Sequence, residues 1–458
     1  MKKHPLSPAE VSRGMTASIW DGILAGPFYN VIAATSPFFT GLALTLGADN
    51  FQIGLFAAVS PLLAGLSLLS ARMMERGSNR KRHYLFTAAI QRSLFLILLA
   101  FPFLSTRLEA GTLVWVLLAL VTASWVFHYF QLTAWMSWMA DMIPKDRRGS
   151  FFSRRGLIAS ATWMSLSYLA GRYLDTHKTL WDYAVVFSLF TASSLIGLRF
   201  AAQQPDPPLV LAKEHPSLAS LWKTAYADKA FRNFVFFNLA WNFTTNLAAP
   251  FLNVYMLKNL QMDLAHVTVL GVLASLLATI SAPWWGHVLD RAGERATLFF
   301  SMVGACALGG LWPFLTRENL VWLLPFILIV GGFFQAGVQQ SSFNMFLGIL
   351  PAKNKSSYVA LSQTVIGTLV GWSPILGGWL AITFAKTGML EGWPFDSVML
   401  VIVTSAILKL IPLSLVSAMQ NRPDRGIAFM VQEYVLVNPL KVMASITLDL
   451  FGADRDKK

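Results

Sequence analysis

The chain has 458 residues, 55% hydrophobic and only 13% charged, with a formal net charge of +13. Soluble domains carry about 25% charged residues, so this composition excludes an ordinary soluble enzyme. The basic residues bunch in short segments between apolar runs, which argues against a nucleic-acid surface. The single cysteine, Cys306, excludes a disulfide framework and a cysteine-based metal site.

The first residues, Met1 to Thr16, are polar and hold Lys2, Lys3, Glu10 and Arg13. The apolar run that follows is too long for a signal-peptide core. It is the first of twelve such runs, at 17–47, 51–74, 84–105, 111–140, 154–174, 181–202, 232–257, 266–288, 296–315, 319–349, 358–384 and 395–419. About 20 apolar residues at 1.5 Å each cross a hydrocarbon core of about 30 Å. With no water there to satisfy backbone groups, runs of this kind must be helices.

The first span carries Asp21, the only acid well inside a span, in line with Ala25 and Tyr29 at i, i+4 and i+8, with Asn30 beside them. Asp21 reads either as a proton or cation site or as an acid favoured by the helix dipole near its start. In the same span Gly22-x-x-x-Gly26-Pro27 marks a close-packing or kink site. Arg92 in the third span and Lys409 in the twelfth are read as basic side chains snorkelling along peripheral helices. The fourth span places His128, Gln131, Trp135 and Trp138 on one face, where His128 is either a packed imidazole or a cavity group open to proton coupling.

The segment 203–231, with Pro205, Asp206, Pro207 and Pro208 at its start, reads as a linker, with a surface helix over Ser217–Asp228. The seventh span offers Asn238, Trp241, Asn242 and Thr245; the tenth, Gln335 and Gln339; the eleventh, Gln363, with Gly371, Pro374, Gly377 and Gly378 as bending points. The tail 420–458, apolar from Ile427 to Phe451 but broken by Pro439 and spread charges, reads as interfacial or disordered.

With the N-terminus inside, inner segments hold 28 of the 36 Lys and Arg residues, so both termini are expected in the cytoplasm and the chain in a cell membrane. The two halves repeat. Glu75 and Asp290 stand 215 positions apart, Pro144 and Pro351 stand 207 apart, and Pro37 and Pro250 stand 213 apart, all in one order. A duplicated six-helix unit follows, with residues 1–202 and 232–419 as its copies.

Two loops carry the landmark acids. One reads Ala71-Arg-Met-Met-Glu75-Arg76-Gly-Ser78-Asn-Arg80-Lys81, the other Gly286-His-Val-Leu-Asp290-Arg291-Ala-Gly293-Glu-Arg295. Their pattern resembles the signature of the major facilitator superfamily, G-x-x-x-D-[RK]-x-G-x-[RK]-[RK], between helices 2 and 3 and again between 8 and 9. The first copy departs from it at Ala71, Glu75 and Ser78. The resemblance implies an all-α membrane protein of twelve transmembrane helices in two pseudo-symmetric six-helix bundles. It also implies a central cavity lined by helices 1, 4, 7 and 10. A cytoplasmic latch is implied at Glu75, Arg76, Arg80, Asp141, Asp290, Arg291 and Arg295, with Arg76 and Arg80 pairing to Asp141. The second-half latch is expected to be weaker, because Gly348 stands where Asp141 does in the first.

No nucleotide-binding G-x-x-x-x-G-K-[ST] run and no H-E-x-x-H spacing occurs, so no cofactor or metal is expected and no enzyme is indicated. The expected partners are a small-molecule substrate, the lipid bilayer and a proton or cation co-substrate, with the chain acting as a monomer. A secondary transporter is the leading reading. A uniporter without ion coupling and a transport-inactive membrane sensor are the alternatives. The amide- and aromatic-rich faces suggest a neutral or weakly charged organic solute.

Overall fold

The structure is a computed structural model that describes residues 6–75, 79–144, 147–207, 226–350, 355–386 and 396–416. Among these residues every regular element is helical. The chain enters through α1 (Pro8–Val31), whose start is fixed locally. Ser7 accepts from the Glu10 backbone and the Glu10 carboxylate accepts from the Ser7 backbone N–H at 2.8 Å, with Pro8 at the first helical position. The side where α1 begins is termed the near side, and its opposite the far side.

The first predicted span is two helices, α1 and α2 (Pro37–Thr45). Pro37 cannot supply an N–H to continue α1, and Ser36 caps the new start by accepting from Phe39. Other spans are interrupted in the same way. The second is α3 (Asn50–Leu62) and α4 (Leu66–Glu75). The third is α5 (Arg80–Leu94), a 3-10 stretch over Phe95–Ala100 and α6 (Phe101–Leu104). Three continuous helices complete the first repeat: α7 (Ala110–Met142), α8 (Arg148–Thr176) and α9 (Leu180–Gln203).

The second repeat begins with α10 (Lys229–Val254), followed by α11 (Leu264–Ala292), α12 (Glu294–Gly309) and α13 (Leu320–Ile349). It continues with α14 (Lys355–Val370), α15 (Trp372–Lys386), α16 (Ser397–Leu408) and α17 (Leu410–Leu415). Among the described residues, nine helical spans are long and apolar enough to cross a membrane. The helices of the first, fifth and seventh predicted spans fall outside that set. Asp21 lies in α1; Arg148, Arg154, Arg155 and Arg172 lie in α8; Arg232, Asn238, Asn242 and Asn246 lie in α10. Residues 208–225 of the expected linker 203–231, and the tail after Val416, lie outside the described residues.

Two compact units emerge. One comprises 1–216 with 246–269 and 363–391, the other 217–245, 270–362 and 392–458. The first unit therefore gathers the first repeat together with far-side segments of α10, α11 and α14–α15. Glycines make that possible. A Cβ at Gly378 of α15 would stand 2.5 Å from the Asn50 carbonyl oxygen, and one at Gly371 would stand 2.6 Å from Leu62. Gly171 of α8 lies against the Ala265 backbone, and the Asp175 carboxylate accepts from the N–H groups of Leu264 and Ala265 at 2.6 and 3.1 Å, capping α11. Asn253 donates to the Thr35 carbonyl at 2.7 Å.

Of the expected bending points, only Gly371 breaks a helix; Gly377 and Gly378 instead provide close approach, and Pro374 sits in the first turn of α15, where a proline is tolerated. In the second unit, Trp285 donates to the Phe333 carbonyl at 2.8 Å, and Ser405 of α16 donates to the Thr244 carbonyl at 2.6 Å.

Candidate solute cavity

Within the first unit, α1, α5, α7 and α8 enclose a cavity of about 250 Å³. Its wall includes Asp21, Tyr29, His128, Gln131 and Trp135, five of the residues singled out in the sequence, brought together from α1 and α7. It also includes Tyr84 and Arg155, which sequence reasoning missed. A larger cavity of about 680 Å³ lies at the near-side ends of α1 and α9, beside Arg13, Trp20 and Phe200, and none of the expected solute residues line it.

Behind the first cavity is a buried charge network. Asp21 is 2% exposed and Arg92 is fully buried. Both terminal nitrogens of Arg92 lie 3.4 Å from Asp21 Oδ1. The same guanidinium donates to the Ser194 carbonyl, to the Tyr84 hydroxyl at 3.2 Å and to the Tyr29 hydroxyl at 3.4 Å. Tyr84 in turn donates to Asp21 Oδ2 at 3.3 Å.

The expectation that Arg92 snorkels is therefore corrected. A guanidinium on α5 facing a carboxylate on α1 gains more from pairing in the interior than from reaching for the interface. Lys409 needs a similar correction. It joins α16 to α17 with its amine 5.8 Å from the centroid of the Trp241 ring, held over an aromatic face.

An amide and imidazole cluster continues the wall. Gln131 donates to the Gln91 carbonyl oxygen, and His128 Nδ1 lies 3.5 Å from the amide nitrogens of both glutamines. Gln131 Oε1 is buried and has no partner among the described residues, an acceptor left for an occupant. Tyr29 and Trp125 meet the His128 ring edge-on at 5.8 and 4.7 Å between centroids. Trp138, on the same sequence stripe, turns away and donates to the Pro205 carbonyl at 2.8 Å.

Other expected residues are not in this cavity. Asn30 donates to the Gly26 carbonyl of its own helix at 2.8 Å. Asn242 donates to the Asn238 side chain at 2.9 Å, and Trp241 is 4% exposed beneath Lys409. Thr245 keeps a buried hydroxyl without a partner among the described residues. Gln335 is half-buried, while Gln339 and Gln363 are exposed.

The near-side polar cluster is more specific than a charge at a loop. Arg80, 1% exposed, pairs with Asp141 at 2.5 Å. It also donates to the Ser137 carbonyl at 3.0 Å and the Pro207 carbonyl at 2.7 Å, and it lies 3.7 Å from Asp206. Lys81 donates to the Gln204 carbonyl at 2.8 Å. These contacts tie the α5 start to the α7 end and the chain leaving α9. Arg76 and the Glu75 side chain lie outside the described residues, and among those described Asp290 and Arg291 are exposed with no ion pair. Arg295 is half-buried.

Burial pushes the Asp206 carboxyl above its ordinary value, against the pull of Arg80 and Lys81. Arg80→Ala should therefore destabilise by about 1–3 kcal/mol, the cost of orphaning buried carbonyls and a carboxylate. Asp206→Asn should change stability by less than about 1 kcal/mol. Thermal melts of the two purified variants check the contrast; equal losses would mean that Arg80 does not organise the cluster.

Arg92 and Gln91 carried a usable signal, since two adjacent polar residues inside an apolar run require a partner. Arg155 did not, because Arg154-Arg155 at a helix start reads as a topological charge.

Residues 242–445 match the family model described as Major Facilitator Superfamily. The multidrug resistance protein MdtG of Dickeya zeae (strain Ech586) is 32% identical over 153 residues, which is 30% of this chain. That match spans only 34% of the relative's length. Among solved structures, the nucleoside transporter NupG superimposes with a TM-score of 0.64 at 14% identity, over 90% of this chain and 98% of its own. A bacterial homologue of the human lysosomal transporter Spinster, inward-facing and unoccupied, gives 0.65 at 13% identity, over 90% and 98%. A D-xylose–proton symporter gives 0.63 at 14% identity, over 90% and 98%. At these identities the structural likeness concerns the fold.

Proposed function

We propose that this chain is a major facilitator superfamily transporter that carries out secondary transport of a small organic solute, bound first at the cavity lined by Tyr29, His128, Gln131 and Trp135. The observation that supports it most is the Asp21–Arg92 pair, a buried carboxylate and guanidinium 3.4 Å apart, with Asp21 in the cavity wall and Arg92 outside the lining. Buried ion pairs are weak devices for stability. One placed beside a cavity can instead exchange partners when a proton or solute arrives. Proton coupling through Asp21, with His128 as the neighbouring titratable group, is the reading this arrangement favours.

The near side is assigned to the cytoplasm from the loop charges. The far-side packing of α3 on α15 and of α8 on α11 supports a state closed on the opposite side, with rocking of the repeats as the transport step. The near-side cluster around Arg80 and Asp141 acts as one latch of that cycle. The protein acts as a monomer.

The test begins with a thermal-shift screen of purified protein against metabolite and drug collections at one acidic and one mildly alkaline pH. The collections include nucleosides and pentoses, which two structural neighbours carry by name. The stabilising solute is then followed into proteoliposomes. Asp21→Asn should abolish uptake driven by a proton gradient while solute exchange at equal pH continues. Loss of both would point to a structural role for Asp21, and loss of neither would favour the uncoupled facilitator.

A further inference from the structure

We propose that the solute taken by this cavity is a small monocarboxylate with a compact aromatic or apolar body, and that Arg155 binds its carboxylate. The proposal rests on the cavity being the solute site. Its ground is an imbalance of charge at the wall. The cavity is lined by one carboxylate, Asp21, and one guanidinium, Arg155, yet they do not serve each other. Asp21 is held by Arg92 from behind. Arg155 spends only its Nε–H, donating to the Ser18 carbonyl at 3.0 Å, and no ion pair engages it among the described residues.

The guanidinium is also held in a fixed pose. Its carbon lies 5.1 Å from the centroid of the Trp135 ring, in cation–π contact. Gly22 also stands against it: an added Cβ there would lie 3.0 Å from the guanidinium atoms, so the absence of a side chain makes room for it. A charge packed against a ring and a glycine, with its two terminal nitrogens uncommitted, is a fork prepared for a planar carboxylate.

The rest of the wall sets the remainder of the solute. Tyr29, Leu132 and Trp135 offer ring and aliphatic surface, and the free Gln131 Oε1 can take one donor. The volume of about 250 Å³ falls just below the usual range for drug-sized ligands, about 300–1,000 Å³. A second carboxylate would have to approach Asp21, and an amine would face Arg155, so both dianions and simple cations are disfavoured. The neutral or weakly charged solute expected from the sequence is thereby narrowed to a single negative charge.

The full-length purified protein can be tested by isothermal titration with benzoate, benzamide and benzylamine as probes. Wild type should bind benzoate at least about tenfold more tightly than benzamide. Arg155→Gln should remove that preference, Arg155→Lys should keep part of it, and Arg155→Glu should shift it to benzylamine. Retention by Arg155→Lys shows that the effect is charge recognition and not a folding failure. Saturable benzoate binding that Arg155→Gln leaves unchanged, or no benzoate binding by wild type, would overturn the proposal.

Equal binding of benzoate and benzamide, both lost in His128→Ala, would also overturn the carboxylate assignment while leaving the cavity as solute site. Indifference of both probes to His128→Ala would instead remove the cavity reading, and this proposal with it. One arm addresses an anionic lipid headgroup as the natural occupant. If nanodiscs containing phosphatidylglycerol suppress benzoate binding that phosphatidylcholine nanodiscs permit, Arg155 serves the lipid, and the solute assignment falls.

Discussion

Arg92→Leu should lower the unfolding free energy by about 3–5 kcal/mol, because it leaves a buried carboxylate with no counter-charge. Asp21 is 2% exposed, and its remaining described hydrogen-bond partner is the Tyr84 hydroxyl at 3.3 Å. The substitution also strips the Ser194 carbonyl and the Tyr29 hydroxyl of a donor. Combining Arg92→Gln with Asp21→Asn should recover much of that loss, since both charges leave together and neutral groups of similar shape keep part of the hydrogen bonding. Thermal unfolding of Arg92→Gln, of Asp21→Asn and of their double variant forms a complete cycle with the wild type. A double variant no more stable than Arg92→Leu would show that the pair matters for something other than mutual neutralisation.

The second large effect is steric. Gly378→Val should force α15 away from α3, since a Cβ there already lies 2.5 Å from the Asn50 carbonyl oxygen and 2.8 Å from the Phe51 Cα. The obstacle is backbone, which cannot rotate aside. Overpacking of this kind costs about 1–3 kcal/mol, a shift of roughly 5–150-fold in the balance between packed and separated far-side ends. The chain offers a convenient readout, because its single cysteine can be replaced and a reporter placed at Ala48, which is 7% exposed. In a Cys306→Ser background, maleimide labelling of Ala48→Cys should accelerate by that factor when Gly378→Val is added. Unchanged labelling would mean that α3 and α15 do not control access to the far side.

How much was legible beforehand depended on what each residue's partners were. Helical spans were readable because hydrophobic length alone fixes them in a bilayer. Their internal breaks at Ser36–Pro37 and Gly371 were only partly readable, since proline and glycine are tolerated inside membrane helices when neighbours satisfy the freed groups. Asp21, Tyr29, His128, Gln131 and Trp135 were readable as polar faces on single helices, and the cavity does collect them. Arg92 was misread because its meaning lies on α1 and α9, helices that composition and periodicity cannot place beside it. Arg155 was invisible for another reason: it shares its dipeptide with Arg154, and nothing local distinguishes the arginine that enters a cavity from the one left at the surface.

Among the described residues, the helices α1–α2, α8 and α10 fall outside the set long and apolar enough to cross a membrane, and α1 and α8 supply Asp21 and Arg155 to the cavity wall. Their polar residues have a consequence for the protein's birth. A helix that exposes an unpaired Asp or Arg to lipid is penalised by about 2.5–3.5 kcal/mol per charge at its centre. α1 on its own is therefore expected to integrate less well than α1 accompanied by α5, whose Arg92 pairs with Asp21. In a chain truncated before α5, α1 should integrate poorly, and Asp21→Asn should relieve that dependence.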